Sequence, residues 1–422
     1  MKLISDDWQL PAATERETWV RLKDHQITES GRFLHFPWAT LIDSCNNNQD
    51  KARALLIALA NGIDNGNYNM TCCQHIRGFM YSFLFRACRI SDVFWPHTTY
   101  ATTQGFGQVH YHAYPLFPVQ RPSGVEEKSQ NRDLLTSFTG AYDSRYYLTP
   151  SRQWIDQCDW HSIGSSSYIK ITKEWHFEKS VYQEQIAGKP LNLDDKDALN
   201  QREQKFRELL QRSIFSLCPS GSGPNSIRLW ESIGFGSIPV LMADGLKLPA
   251  RVSGLGEIEY WSNGILFVSE QEKAISKLPF LLQELANDSE FIKSKRASLS
   301  QIWDHYWTNC FARPITDFTV REGLGSLTYL KSHKEGSRQS FAEALYVQLV
   351  HFLRYASLHP VLNKKWPTGF PAILDFIVEQ KTGVRHEANN INTMFVERCK
   401  QSKGRNSYLV LCDVFQDLVG ES

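Results

Sequence analysis

The stretch that decides the fold runs from Ser213 to Pro249 and reads SIFSLCPSGSGPNSIRLWESIGFGSIPVLMADGLKLP. Its pattern predicts a buried strand at Ile214–Cys218, a loop of glycine and serine at Pro219–Asn225, a helix at Ser226–Phe235 and a second strand at Ile238–Met242. A strand, a helix and a strand in this order form a unit whose two strands lie parallel in one sheet. The sequence therefore predicts an α/β protein.

The loop of this unit leads into the N-terminus of its helix, where backbone N–H groups and the helix dipole attract a phosphate. Ser220, Ser222 and Asn225 add side-chain donors. Gly221 and Gly223 let the backbone approach a ligand closely. We therefore predict a site for a phosphate-bearing ligand at this loop.

Arg228 and Glu231 lie three residues apart, so they project from one face of the predicted helix, near the loop. A guanidinium suits the oxygens of a phosphate, and a carboxylate can accept hydrogen bonds from both hydroxyls of a ribose. An isolated pair of this kind is more often a solvated ion pair. The loop before the pair favours a nucleotide site instead, at the carboxyl end of a parallel strand.

A polar segment at Gln120–Asp133 is the best candidate for a linker between two lobes. Leu134–Phe138, followed by Thr139-Gly140, indicates the first strand of the second lobe. The pattern also predicts helices at Lys51–Ala60, His75–Cys88 and Phe341–Leu353, and we expect Asn61-Gly62 to end the first of them. A further helix is predicted after the polar stretch Leu191–Asn200 and ends near Arg212. A strand is predicted at Ile90–Trp95, where Pro96 stops it.

Composition excludes several classes of protein. The chain has 422 residues, enough for two to three domains of about 150 residues. Its 46 basic and 45 acidic residues give a formal charge of +1, which argues against a nucleic-acid-binding protein with a general basic surface. Hydrophobic residues at 42% and charged residues at 22% exclude bulk disorder. The nine cysteines include no CxxC pair, so they support neither a disulfide framework nor a zinc ribbon.

Targeting signals are not evident in the sequence. It contains no run of about 18 apolar residues, and Asp6 and Asp7 stand where a signal peptide needs an apolar run. We expect a cytoplasmic protein with reduced cysteines.

The residues of the decisive stretch resemble a known family. A strand, then P-S-G, R-x-x-E, a turn of small residues, I-P-V and D-G-x-x-L-P are similar to the donor-binding signature of the exostosin family of glycosyltransferases, and more closely of its bacterial members. The segment from Arg132 to Gly140, followed by Arg152, is similar to the family's R-x-L-L-x-F-x-G opening of the donor lobe. The resemblance covers about a quarter of the chain.

The resemblance implies a GT-B fold, in which two Rossmann-like lobes face each other across a cleft. We expect an acceptor-side lobe at 1–130, a donor lobe at 131–335 and a helical extension at 336–422 that packs across both lobes. Carried over by position, Arg228 would bind the diphosphate and Glu231 the ribose. Gly140 and Arg152 would face the phosphate loop, and Asp244 would lie near the donor.

The resemblance also implies that a sugar moves, with inversion at its anomeric carbon, from a nucleotide-sugar to a saccharide or lipid-linked saccharide acceptor. Because the chain lacks the membrane anchor of animal exostosins, we expect a role in bacterial surface polysaccharide or glycolipid synthesis, of the lipopolysaccharide or capsule type. The protein would then work in the cytoplasm, at the inner face of the membrane. We expect no obligatory metal or other cofactor and no nucleic-acid partner.

An inverting transfer needs a general base within reach of the acceptor hydroxyl. His97 is the first candidate because it follows a predicted strand and should open onto the cleft, although a packed histidine explains it equally well. His75 is second, and Asp143 in the loop after Gly140 is third, although a turn also favours an aspartate. The fourth candidate is a cluster around Trp175, formed by Glu174, His176 and Glu184.

Other interpretations remain open. His110 and His112 alternate along a predicted strand and could offer two metal ligands, but two histidines without a third ligand are more often structural. The same loop could bind the single phosphate of a cytidine monophosphate sugar, in a transferase of ulosonic acids. A non-catalytic module that binds a glycan or a nucleotide is the remaining alternative. A dehydrogenase is disfavoured because no GxGxxG follows a strand.

Overall fold

The computed structural model describes most of the chain. The described residues are 7–24, 27, 32–63, 69–104, 108–122, 131–175, 177–250, 257–309, 311–322, 338–358, 371–385 and 388–420. Helices and parallel strands alternate through these residues in two sheets. The architecture is the two-lobed α/β arrangement of the GT-B type, with a further group of helices near the C-terminal end.

The first sheet has four parallel strands in the order β1-β2-β3-β4. They are β1 (Phe33–Leu34), β2 (Met70–Cys72), β3 (Asp92–Trp95) and β4 (His110–Ala113). All four residues of β3 are buried. This burial confirms the expectation from the apolar run before Pro96, because a strand covered on both faces reads as continuously apolar.

The second sheet has five parallel strands in the order β6-β5-β7-β8-β9. They are β5 (Leu134–Ala141), β6 (Ser167–Thr172), β7 (Ser213–Pro219), β8 (Ile238–Met242) and β9 (Leu266–Phe267). The chain leaves β5 toward β6 on one side and returns to β7 on the other. The connections after β5 and β7 therefore diverge, and they open a crevice at the carboxyl ends of these two strands.

Helices cover both sheets. In the first lobe they are α1 (Thr14–Leu22), α2 (Trp38–Asn47), α3 (Gln49–Ile63) and α4 (Ser82–Ala87). In the second lobe they are α5 (Ser151–Gln157), α6 (Leu193–Arg212), α7 (Ile227–Phe235), α8 (Glu257–Gly264), α9 (Glu272–Ile275), α10 (Leu278–Ala286), α11 (Ser289–Trp303) and α12 (Arg313–Glu322). Then follow α13 (Arg338–Leu358), α14 (Pro371–Thr382), α15 (Ala388–Gln401) and α16 (Ser407–Val419). No described helix is long and apolar enough to cross a membrane.

Three predicted helix boundaries were wrong. The helix α3 continues through Asn61-Gly62 to Ile63, so this pair does not end it. The stretch predicted as one helix from His75 is a 3₁₀ turn at Gly78–Tyr81 followed by the short α4. The helix α6 begins at Leu193, inside the polar stretch, because the side chain of Asn192 caps it by accepting the backbone N–H of Asp195.

The C-terminal helices belong to the first lobe. Their apolar side chains lie in one core with those of α2, α3, α4 and the first sheet. Arg53 on α3 forms ion pairs with Asp375 and Glu379 on α14. The expectation that this extension packs across both lobes was therefore wrong, since its core contacts lie in the first lobe.

The two lobes share a second core and a hydrogen-bonded edge. Side chains from the first sheet, such as Phe94, pack with residues of the second sheet and of α12. The segment after β3 pairs with the loop after β8, because Thr99 and Leu246 form an antiparallel bridge. Of the predicted linker, residues 123–130 lie outside the described residues, and the domain boundaries stay a prediction.

Candidate functional site

The predicted loop lies at the end of β7 and leads into α7, as expected. Ser226 is the residue before α7. The nine residues of this helix end at Phe235, and Gly236 follows with a φ of +65°. Ser220 is buried, and its backbone N–H donates to Met242 O at 2.8 Å. Ser222 is exposed at the tip of the loop. The open amide groups at the start of α7 therefore face the crevice of the second sheet.

Two arginines flank one aromatic ring at this crevice. The Cζ atom of Arg228 lies 4.6 Å from the ring centroid of Phe138, and that of Arg152 lies 5.5 Å from it. A Cβ atom at Gly140 would lie 3.1 Å from Arg152 Nη1 and 3.4 Å from Arg228 Nη2. A side chain at position 140 would therefore have to displace the guanidinium groups by a few tenths of an ångström.

Backbone carbonyls hold both arginines in place. Arg152 donates from Nε to Ser220 O at 3.1 Å and from Nη1 to Ala141 O at 2.7 Å. Arg228 donates to Thr139 O. These acceptors come from the ends of β5 and β7, so the strands that form the crevice also orient its cations.

The arrangement concentrates positive charge. Burial is the main cause that lowers the pKa of Arg152 to about 10, and the nearby Arg228 contributes to the lowering. Tyr147, whose ring centroid lies 4.4 Å from Arg152 Cζ, opposes this effect. Two cations at the N-terminus of a helix, held by neutral carbonyls, are chemically suited to a diphosphate, and binding of one here stays a prediction.

A carboxylate that the sequence did not reveal completes this edge. Glu270 follows β9, and its Oε1 accepts hydrogen bonds from Thr149 Oγ1, at 2.7 Å, and from Ser220 Oγ. Asp244 follows β8, is exposed and accepts a hydrogen bond from Ser269 Oγ at 3.0 Å. The ends of β7, β8 and β9 thus bring hydroxyls and two carboxylates to one edge of the sheet.

Comparison with known proteins agrees with this geometry. A family model described as the exostosin GT47 domain matches residues 82–285, which include the whole crevice. Over these residues the chain is similar to the exostosin family. The matched region begins at the start of α4, so the exostosin domain takes in part of the first lobe and most of the second.

Plant relatives match a shorter part of the chain. A probable glucuronosyltransferase of Oryza sativa subsp. japonica, GUT1, is 33% identical over 105 residues, which are 25% of this chain and 23% of that protein. A probable glucuronoxylan glucuronosyltransferase of Arabidopsis thaliana, IRX7, is 36% identical over 86 residues, 20% of this chain and 18% of that protein. The chain thus spans less than a quarter of the length of these curated relatives.

Glu231 lies against the connection between the two lobes. It is buried, and its Oε1 accepts the backbone N–H of Gln120 at 2.9 Å. Burial raises the pKa of Glu231 to about 7, although the Gln120 amide and Arg228 lower it. Ribose binding by Glu231 stays a prediction. The hydrogen bond from Gln120 joins α7 to the chain that follows β4, residues 114–122, which we call the connecting segment.

Asn225 and Gly223 contact the other lobe. Asn225 Nδ2 donates to Pro96 O at 2.7 Å, and its Oδ1 accepts from Trp230 Nε1 at 3.0 Å. A Cβ atom at Gly223 would lie 2.7 Å from His97 Nδ1. The phosphate loop therefore rests on the segment that follows β3, and binding of phosphate by Asn225 stays a prediction.

His97 does not open onto the cleft as expected. It is 3% exposed, and its Nδ1 has no hydrogen-bond partner among the described residues. Burial, with the nearby His75, lowers the pKa of His97 to about 3. A group with such a pKa stays neutral near pH 7 and is a weak base, so the geometry gives little support to the first candidate.

His75 forms a pair with a carboxylate that sequence analysis missed. Its Nε2 lies 3.1 Å from Asp43 Oδ1, and its Nδ1 accepts the backbone N–H of Arg77 at 3.0 Å. Gln9 donates to the other oxygen of Asp43 at 2.6 Å. Although burial opposes ionisation, His75 and Gln9 hold the pKa of Asp43 below its usual value. The pair stands just after β2, at the carboxyl edge of the first sheet.

Asp143, the third candidate, lies in the loop after β5. Its two oxygens are held by Arg145, with Nε–Oδ1 at 3.0 Å and Nη2–Oδ2 at 2.6 Å. The hydrogen bonds from Arg145 lower the pKa of Asp143 to about 2. Its backbone O accepts the N–H groups of Tyr146 and Tyr147, which supports the turn explanation.

The remaining predicted residues do not converge. His110 and His112 lie on β4, and His112 Nε2 is 2.8 Å from Asp92 Oδ1. Within the described ranges, no group of three or more His, Cys, Asp or Glu side chains could hold a metal. His176 lies outside the described residues, so the cluster around Trp175 stays a prediction.

Arg132, the first residue of the R-x-L-L motif, has a structural role. It donates to the carbonyls of Leu210, Ser213 and Phe235. Two of these carbonyls belong to the final turns of α6 and α7, so one partly buried cation contacts both helix ends.

Proposed function

We propose that this protein is a glycosyltransferase that takes a sugar from a nucleotide-sugar donor and passes it to a saccharide acceptor. One observation carries the proposal. The guanidinium groups of Arg152 and Arg228 both lie against the Phe138 ring, beside the loop that begins α7 and at the point where the strand order reverses. Cations and helix amides at that place suit the diphosphate, and they would stabilise the charge that develops on the leaving group.

A saccharide acceptor fits the exposed aromatic residues beside the crevice. Tyr146, Trp175 and Tyr182 are 58%, 42% and 40% exposed. The rings of Trp175 and Tyr182 lie 6.2 Å apart. Asn48, just after α2, donates from Nδ2 to Ile186 O at 2.8 Å, so the segment that carries Tyr182 contacts the end of the helix that carries Asp43. Flat apolar rings with a polar tip are suited to contact sugar rings.

The finer points are part of the same proposal. We propose that the transfer inverts the configuration at the anomeric carbon. The acceptor would be a growing surface polysaccharide or glycolipid of the bacterial type. The protein would act at the inner face of the membrane. The expectations from the sequence support these points. The names of the plant relatives suggest that a glucuronosyl donor belongs among the first to test.

Donor binding is tested by thermal shift and calorimetry with UDP, GDP, dTDP, CMP and their sugar conjugates. We expect one diphosphate nucleotide to raise the melting temperature, because a ligand of the native state stabilises it. Arg228→Ala should weaken that binding by about tenfold or more, the value of one charge-assisted hydrogen bond. Arg202→Ala, on the exposed face of α6, is the matched control and should bind normally.

Two results would contradict the proposal. A response to CMP alone would favour the transferase of ulosonic acids. No response to any nucleotide, or equal binding by wild type and Arg228→Ala, would favour a module that binds only glycans.

The general base is tested once a donor is known. We propose that the Asp43–His75 pair supplies it: Asp43 holds Nε2 of the imidazole, and the acceptor hydroxyl takes the place of the Arg77 amide at Nδ1. His75→Gln should then lower kcat by about 100-fold or more with donor affinity unchanged. Asp143→Asn and His97→Gln are the comparisons, and a larger loss in either would move the assignment to that residue. The anomeric configuration of the product, read by NMR, tests inversion.

A further inference from the structure

A second pocket lies where the two lobes join, away from the phosphate loop. Its volume is about 370 Å³, within the range of small-molecule sites, about 300–1,000 Å³. Its walls come from α1, the connecting segment, α6 and the end of α11. The residues that matter for its chemistry are Arg21, Gln120, Arg121, Arg207, Trp303 and Trp307.

Three guanidinium groups converge on this pocket from three separate elements. Arg21 is in the last turn of α1, Arg121 in the connecting segment and Arg207 on α6. Arg121 Cζ lies 4.7 Å from the ring centroid of Phe117. In the part of the chain that the structure describes, none of the three forms an ion pair with a carboxylate. Like charges brought to one concave surface repel each other, and a bound anion relieves that repulsion.

An unsatisfied donor adds to the same wall. Trp307 is 7% exposed, and its Nε1–H has no acceptor among the described residues. Its ring stacks on Trp303, with centroids 4.8 Å apart and an angle of 20° between the planes. A buried N–H without a partner costs free energy.

We propose that this pocket binds a small ligand with an oxyanion, the phosphate of a phosphorylated sugar or the carboxylate of a uronic acid. The site is separate from the crevice of the donor lobe. Gln120 lines the pocket and donates its backbone N–H to Glu231 on α7, so the connecting segment lies between the two sites. The proposal does not depend on glycosyl transfer, because it concerns binding at different residues.

The test is isothermal titration of the full chain with inorganic phosphate, glucose 1-phosphate and glucuronate. We expect saturable binding by the wild type, and a loss of about tenfold or more in Arg207→Gln and in Arg121→Gln, since each removes one charge-assisted hydrogen bond. Arg202→Gln, five residues from Arg207 on the same helix, should bind as the wild type does. Arg228→Ala is titrated beside these variants because the donor crevice is the other place for an anion. Preference between glucose 1-phosphate and glucuronate identifies the source of the oxyanion.

Three outcomes would overturn the proposal. These are no saturable binding of any of the three compounds, equal affinities in the wild type and the two pocket variants, or a loss confined to Arg228→Ala. The last outcome would locate the anion at the donor crevice. Circular dichroism of Arg207→Gln and Arg121→Gln shows whether a loss of binding comes from misfolding.

Discussion

Glu231 is a buried carboxyl whose protonation is coupled to folding. Burial raises its pKa from 4.5 to about 7, so the folded protein keeps a proton that the unfolded chain releases between these values. Stability therefore falls as pH rises through that window, by about 3 kcal/mol for this one group. Glu231→Gln replaces the protonated form by a neutral isostere that still accepts the Gln120 amide. Relative to the wild type, the variant should gain about 3 kcal/mol between pH 4.5 and pH 8.

Urea unfolding at several pH values measures this difference. Glu15, whose burial raises its pKa to about 8, titrates in both proteins and cancels in the comparison. Glu208→Gln, at an exposed position of α6, is the control and should follow the wild type at every pH. A constant difference between Glu231→Gln and the wild type would show that Glu231 does not titrate in this range.

At the scale of elements, the loop before α7 and the segment after β3 fit tightly together. A Cβ atom at Gly223 would lie 2.7 Å from His97 Nδ1 and 3.0 Å from Ile76 Cγ2. Gly223→Ala should therefore displace the loop, lower stability by about 1–3 kcal/mol and weaken nucleotide binding by about tenfold. Unfolding curves and calorimetry measure both effects.

The double variant Gly223→Ala with His97→Ala separates this contact from other causes. Removing the imidazole makes room for the new methyl group, so the double variant should recover most of the nucleotide affinity that the single variant loses. If the effects of the two substitutions on nucleotide affinity are simply additive, the contact between the loop and His97 does not set the position of the loop.

Sequence predicted this part of the molecule well because its signals are local. The elements β7, α7 and β8 agree with the prediction to within about one residue, since Pro219, the glycines and the apolar periodicity mark their ends. The stretch from His75 differs from the predicted single helix because of a contact with a residue distant in sequence. Gly78 packs against Trp95, where a Cβ atom would lie 3.0 Å from the indole Nε1, and that contact favours a tighter turn.

The site was only partly predictable because several of its groups are distant in sequence. Glu270 meets Thr149 across 121 residues, and Asp43 meets His75 across 32. A periodic pattern in the sequence does not indicate that such distant residues meet. For Glu270 the available signal was its place directly after a strand of the same parallel sheet, which brings it to the edge that carries Ser220.

At the scale of the whole molecule, the C-terminal helices are part of the first lobe's core. Leu345 on α13 is fully buried in that core. Leu345→Ala should lower the free energy of unfolding by about 2–5 kcal/mol, the cost of a cavity at a packed site. Hydrogen exchange should also become faster in β3, which shares the core, and less so in β7.

Val347→Ala is the matched control for this change. It lies two residues away on the same helix and is 39% exposed, so its loss should be within about 0.5 kcal/mol. Exchange that accelerates only within α13 would mean that the helix unfolds alone and does not support the sheet.

The shared core sets a constraint on synthesis. The first sheet and its helices leave the ribosome more than two hundred residues before the segments at 341–415 that cover them. During that interval the nascent chain must keep large apolar side chains, among them Trp38 and Phe85, from aggregating. The donor lobe can form most of its own core before the C-terminal helices are synthesised. The second lobe can therefore complete its fold before the first lobe, although synthesis of the first lobe begins earlier.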